Sequence, residues 1–235
     1  MDAVILAAGT SSRFGSENKL LAEVSGKPMF LHITEILASL QRSSRIDEIV
    51  LVTNDPAIED IVKRQYTLLR LVRNDHPEKG LTLSMKLGIL HLMRRSERID
   101  RETSFERKRI SEGCLFTVAD QPYMTEETIQ RLLNSWRLCG VCLEELLPGE
   151  TGRHDPLHEC ARGPFANTAI AACEGSHGPC NPAVFSGCYY KEILDLPEAE
   201  TGGRALLQRY KDRLCLVPAQ DRELFDIDSK GDLDV

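Results

Sequence analysis

Apolar and polar positions fall into two kinds of block along this chain: short unbroken apolar runs, and longer stretches with apolar residues every three or four positions. Ala3 to Gly9, AVILAAG, is the first run and predicts a fully buried strand closed by glycine. Pro28 to Leu40 has helical spacing, with its proline suited to a first turn. Glu48 to Asn54 predicts a second buried strand, Pro56 to Tyr66 a helix opened by Asp55, and Leu68 to Asn74 a third strand. A helix over Leu81 to Met93 follows a turn at Gly80. The segment GCLFTVADQP, from Gly113, predicts a strand ending in polar residues, followed by a helix over Thr125 to Trp136. Asn167 to Cys173 returns as a strand, Gly175 to Gly178 as a turn, Gly203 to Tyr210 as a helix and Arg213 to Ala219 as a late strand.

Strands that alternate with helices predict an α/β fold with a mostly parallel central sheet covered by helices. The expected organisation is a single domain over residues 1–235 with insertions near 96–113 and 139–166. The charged run Ser96 to Gly113 is expected as a solvated excursion. Leu147 to Pro164, rich in Gly, Pro, His and charge, is expected as a loop. Parallel sheets bind ligands beyond the carboxyl ends of their strands. Gly9 to Lys19 and Asp120 to Pro122 would therefore share one edge.

Composition narrows the partners. A formal net charge of −7 without a long basic block disfavours nucleic acid, while leaving room for a local anion pocket. The apolar run near the N-terminus is too short for a membrane span and lacks a basic leader, so a cytoplasmic location is expected. None of the eight cysteines falls in the first 113 residues, and a chain of this length needs no covalent staples, so they are expected as scattered buried thiols. Cys139 and Cys142 have zinc-ligand spacing but no second CxxC. His154, His158 and Cys160 lack a helix that would align them, so zinc chemistry ranks low.

The chemistry concentrates in LAAGTSSRFGSENK, Leu6 to Lys19. A glycine loop behind a strand exposes consecutive backbone N–H groups to an anion, and Ser11 and Ser12 add hydroxyl donors. Arg13 can grip phosphate through several donors, and Lys19 can place a compact charge on it. An ordinary Gly/Ser turn with two solvated cations is the competing reading. The stretch matches neither GxxxxGK with a following Ser or Thr, nor GxGxxG. Asp120 ends an apolar strand, where a carboxylate can hold magnesium beside a triphosphate or simply cap a turn. Asp226, Asp228 and Asp232 repeat the acid theme, and Asp120 with Asp228 can clamp one ion if they converge. Asp226 and Asp232 can equally serve local backbone groups. Asn181-Pro182 offers a rigid bend with a polar contact, and Arg204 a cation near a helix start.

In order and spacing, LAAGTSSRFGSENK, Gly26-Lys27-Pro28, VADQP, NPAVF, ETGGRALL and DIDSKGDL resemble the molybdenum cofactor cytidylyltransferase branch of the MobA-like nucleotidyltransferases. The resemblance implies a Rossmann-like nucleotidyltransferase domain that transfers CMP from CTP to molybdenum-bearing molybdopterin, forming the cytosine dinucleotide and pyrophosphate. It implies Leu6, Ala7, Ala8, Gly9, Ser11, Ser12, Arg13 and Lys19 at the nucleotide, with Arg13, Lys19 and Asp120 catalytic. Asp120 and Asp228 would hold Mg2+, and Asn181, Pro182 and Arg204 would face the acceptor. A molybdenum hydroxylase or its maturation chaperone is the implied protein partner. The alternatives are guanylyl or other nucleotidyl transfer to molybdopterin or a sugar phosphate, and a noncatalytic cofactor-binding chaperone. Ala199 and Glu200 depart from the family's glycine and aspartate, and Ser229 stands where threonine is frequent.

Overall fold

The computed structural model describes residues 1–9, 14, 18–102, 112–145 and 169–234. Among them, seven strands form one sheet: β1 (Asp2–Ala7), β4 (Ile49–Thr53), β5 (Arg70–Arg73), β6 (Gly113–Val118), β7 (Ile170–Gly175), β8 (Gly178–Ser186) and β9 (Leu214–Pro218). Their order is β5-β4-β1-β6-β8-β7-β9, and β2 (Glu23–Val24) with β3 (Lys27–Pro28) makes a separate ribbon. β1 runs parallel to β4 and β6, β4 to β5, and β7 to β9; β8 is antiparallel to both neighbours. The sheet is thus mixed and mostly parallel, as the alternation predicts.

Both faces are apolar, and the period of two along each strand divides the core. Ala3, Ile5 and Ala7 of β1, with Ile49 and Leu51 of β4, join helices α1 (Met29–Arg42), α2 (Pro56–Gln65) and α4 (Glu126–Glu145). Val4, Leu6, Val50 and Val52 meet α3 (Leu81–Glu102), α5 (Tyr190–Asp195) and α6 (Arg204–Arg209). Met85, Ile89 and Leu92 form the buried stripe of α3 at helical spacing, each fully buried apolar side chain contributing roughly 1.5–3 kcal/mol. Asp55 caps α2, accepting from Ala57 N at 2.7 Å and Ile58 N at 3.2 Å.

Three expectations need correction. α3 runs through Glu102, so the charged stretch begins as helix; Arg94 to Glu102 contains neither Gly nor Pro to stop it. α4 likewise continues to Glu145, taking in the start of the expected 139–166 insertion. The cysteines are not all free thiols: Cys139 of α4 and Cys215 of β9 form a disulfide. Packing of α4 across the sheet face brings their Cα atoms to 6.5 Å, within bridging range. Among the described residues, Cys114, Cys173, Cys180 and Cys188 are not disulfide-bonded. His154, His158 and Cys160 lie outside the described residues. None of the described helices is long and apolar enough to cross a membrane.

Candidate active site

Strand order reverses between β1 and β6, and the crevice beyond their carboxyl ends is where such sheets bind ligands. Lys19 opens a short 3-10 turn there, Lys19–Leu21. Asn18 fixes that turn from both ends of its amide. Its Oδ1 accepts from Leu20 N at 3.0 Å, and its Nδ2 donates to Asp55 Oδ2 at 2.8 Å. Leu20 is buried beneath, so the lysine emerges from an anchored base.

The lysine ammonium donates to Asp120 Oδ2 at 2.7 Å and to Asp228 Oδ1 at 2.8 Å. Three segments far apart in sequence thus meet at one nitrogen. The Lys19 side chain is 12% exposed, that of Asp120 21% and that of Asp228 49%. Burial alone would lower the lysine's pKa, but Asp120 and then Asp228 outweigh it and hold the group above its ordinary value.

Asp226 and Asp228 lie on a segment without helix or strand, held in place by the β6 exit. Ile227 N donates to Asp120 O at 3.0 Å, and the Ile227 side chain is fully buried. Gln121 Nε2 donates to Leu224 O at 3.2 Å and to Asp226 Oδ1 at 2.9 Å. Both partners only accept, which fixes the orientation of this buried amide. Desolvation, then the charge of Asp120, pushes the Asp226 carboxyl up to about 6. Asp232 closes the segment by accepting from Asp228 N, Ser229 N and Ser229 Oγ. The sequence reading quoted the DQP motif but overlooked Gln121; the signal was an amide directly after a strand-end acid.

A cleft of about 1070 Å³ surrounds these groups, and Gly9, Lys19, Asp120, Asn181, Arg204 and Asp228 all line it. Asn181 sits in β8, joined to buried Pro182 by a cis peptide bond, so the segment is a strand rather than a free turn. Arg204 is the first residue of α6, and its loop is tied to α3 because Ala199 O accepts from Thr82 N at 3.0 Å and Thr82 Oγ1 at 2.8 Å. Leu6 and Ala7 point into opposite halves of the core and Ala8 is buried, leaving only backbone for a ligand at these positions. Ser11, Ser12 and Arg13 fall outside the described residues. A separate cavity of about 300 Å³, lined by Tyr123, Arg131 and Glu223 among others, includes none of the cleft's acids or Lys19.

The acid pair fits a hard cation. Asp120 Oδ1 is buried and finds no hydrogen-bond partner among the described residues, so one oxygen of a strand-end carboxylate is left for a ligand. No group of three or more His, Cys, Asp or Glu side chains suited to a metal occurs among the described residues. Two carboxylates on one ammonium suit magnesium, which commonly completes its shell with phosphate oxygens and water.

A doubly covered α/β sheet with a lysine and acids gathered at its switch point is an arrangement suited to phosphate-bearing ligands. The chain belongs to a family described as the MobA-like NTP transferase domain, which matches residues 3–214. It is 24% identical over 202 residues to a probable molybdenum cofactor guanylyltransferase of Thermococcus gammatolerans, covering 84% of this chain and 89% of that protein. Over 97 residues it is 35% identical to a 2-C-methyl-D-erythritol 4-phosphate cytidylyltransferase of Dehalococcoides mccartyi, but that match spans 37% of this chain and only 41% of the relative. A nucleotidyl transferase from Methanothermobacter shares the fold, with a TM-score of 0.65 at 18% identity over 98% of this chain and 93% of that one. Fold and family together support nucleotidyltransferase activity.

Proposed function

We propose that this protein transfers a nucleoside monophosphate from an NTP to the terminal phosphate of a molybdopterin-type acceptor in a magnesium-dependent reaction. The meeting of Lys19 with Asp120 and Asp228 in the large cleft is the observation that carries this reading. GMP transfer is the first reading of the donor, because the relative aligned over most of the chain is a probable guanylyltransferase. CMP transfer to the same acceptor is the second, favoured by the Leu6-Ala7-Ala8-Gly9 start and by the cytidylyltransferase relative.

The chemistry asks little of the protein beyond placement. An acceptor phosphate oxygen attacks the α-phosphorus, a new P–O–P link forms, and the bond to the β-phosphate breaks as pyrophosphate leaves with its electron pair. The nucleophile is already anionic near neutral pH, so no histidine base is required. Lys19, with Arg13 as the family resemblance implies, neutralises charge on the triphosphate and its departing oxygens. Asn181 and Arg204 orient the acceptor at the far side of the cleft, above Pro182. Asp120 and Asp228 would hold magnesium, which when bound supplies further neutralisation of phosphate charge.

Pyrophosphate release with each of the four nucleoside triphosphates and purified molybdopterin tests the assignment. GTP is expected to lead, with CTP next. Asp120→Asn should reduce turnover by about two orders of magnitude or more while leaving the fold intact, in line with loss of a transition-state charge contact. Near-wild-type turnover of that variant at low magnesium rules out the role given to Asp120.

A further inference from the structure

Lys19 has been assigned to the triphosphate, yet in this structure its ammonium sits on the two carboxylates assigned to the metal. Two of the three ammonium donors are engaged by these carboxylates, so a metal ion seated between them and the lysine in its present place are competing arrangements. With Lys19 between them, Asp120 and Asp228 already hold a cation, and a divalent ion entering the pair meets a fixed positive charge within a few ångströms. The turn that bears Lys19 is pinned by Asn18, so the backbone stays while the four-carbon side chain can swing.

A triphosphate changes both sides of this balance. It offers the ammonium a more highly charged partner, and it brings the metal further oxygens. Among the described residues no third acid or histidine joins the pair in a metal-holding group, and two carboxylates are a poor shell for an ion that takes about six oxygens. The second oxygen of Asp120, buried and without a partner among the described residues, is placed to gain a ligand when the lysine leaves.

We propose that Lys19 is an internal counter-ion lock: it fills the space between Asp120 and Asp228 until a triphosphate draws it away, making metal and nucleotide binding strongly interdependent. The inference rests on the metal role proposed above for the two aspartates. Its consequence is protection of the empty site from stray divalent ions, with loading of metal and nucleotide as a unit.

Mn2+ is the probe, its free concentration read by electron paramagnetic resonance on the full chain, with and without α,β-methylene GTP or CTP. Binding of Mn2+ to the analogue in solution is measured separately and subtracted. Wild-type protein should bind Mn2+ weakly alone and roughly tenfold or more tightly with an analogue, within the usual span of coupling between sites. Lys19→Met and Lys19→Gln should bind Mn2+ without nucleotide roughly tenfold more tightly than wild type, and the analogue should tighten it by a smaller factor than it does in wild type. Equal Mn2+ affinity in wild type and both lysine variants, with Asp120→Asn and Asp228→Asn each weakening it, overturns the lock and spares the metal assignment. Mn2+ binding indifferent to both aspartates overturns both. Should the lysine variants fail to fold by near-ultraviolet circular dichroism, the wild-type comparison decides, and absence of coupling there refutes the lock.

Discussion

Gly80 offers a sharp test of how the acceptor side of the cleft is held. It ends a 3-10 turn at φ 81° and ψ −177°, a region that only glycine adopts readily. A Cβ at this position would lie 2.5 Å from the Ala199 carbonyl carbon and 2.6 Å from both Ala199 O and Glu200 N. These are backbone atoms, so the loop carrying Glu200, Thr201 and Arg204 must move. Its two bonds from Thr82 go with it. Strain of about 1–3 kcal/mol and two lost hydrogen bonds at about 1 kcal/mol each predict that Gly80→Ala costs roughly 4 kcal/mol. At about 0.5 kcal/mol per degree for a chain of this length, the melting midpoint should fall by roughly 8 °C. Gly26 is the control: its φ is 82°, but nothing lies within 4 Å of an added Cβ. Gly26→Ala should cost about 1 kcal/mol and roughly 2 °C. Scanning calorimetry measures both, and acceptor KM should rise in the Gly80 variant while Mn2+ affinity holds. A Gly80→Ala midpoint no lower than that of Gly26→Ala would falsify the packing argument.

Two further outcomes follow from the charges and the cysteines. The Asp226 carboxyl is raised to about 6 in the folded protein, so the native state binds the extra proton and stability contributed by that proton is lost as pH rises from about 4 to 6. Because Asp226 is exposed to solvent, the screened effect is held to about 1 kcal/mol at most, and Asp226→Asn should raise the thermal midpoint at pH 7.5 but not at pH 4.5. An equal shift at both pH values argues against it. The Cys139–Cys215 bond closes a separation of 76 residues, worth about 4 kcal/mol by chain entropy, so a dithiol reductant should lower the midpoint by several degrees. No change on reduction, with both thiols alkylated, shows that the bond contributes nothing to stability.

The sheet was legible because its signal is local. The runs at Ala3, Glu48 and Gly113 are unbroken and apolar, and only a strand buried on both faces accounts for them. Helix ends were less legible. α3 overran its expected limit because charged good helix formers look alike in a helix and in a solvated loop, and α4 did so by running through Cys139, Gly140, Val141 and Cys142, whose low propensity gives no helix signal. The disulfide was illegible for a different reason: its cysteines become neighbours only when α4 packs across β7, β8 and β9. Sequence could nominate Lys19, Asp120 and Asp228 one at a time, by residue type and by strand ends. That an ammonium would bridge the two acids, and that Gln121 would brace the third, depends on distances between segments 101 to 209 residues apart.

The two acids of the site are held in different ways, and the difference bears on function. Asp120 follows β6 directly, so its position is set by the centre of the sheet. Asp228 has no regular element beneath it and depends on a chain of side-chain bonds. The nearest is that of Asp232, which accepts from Asp228 N itself, and next come those of Gln121. Farther back, buried Glu223 accepts from Thr128 Oγ1 at 2.7 Å and Gln220 N at 3.0 Å, and also from Thr125 Oγ1. Thr125 and Thr128 belong to the start of α4, only a few residues after Asp120 and Gln121. One short stretch of chain therefore supplies the first acid and also fastens the loop that carries the second. A loop tied at Glu223, Gln121, Ile227 and Asp232 holds the Asp228 carboxylate on Lys19 at the solvent edge of the site, where its side chain is 49% exposed. A site that exchanges an ammonium for a more highly charged ion is served by that combination: one acid set by the sheet, and one at the edge where ion and nucleotide enter.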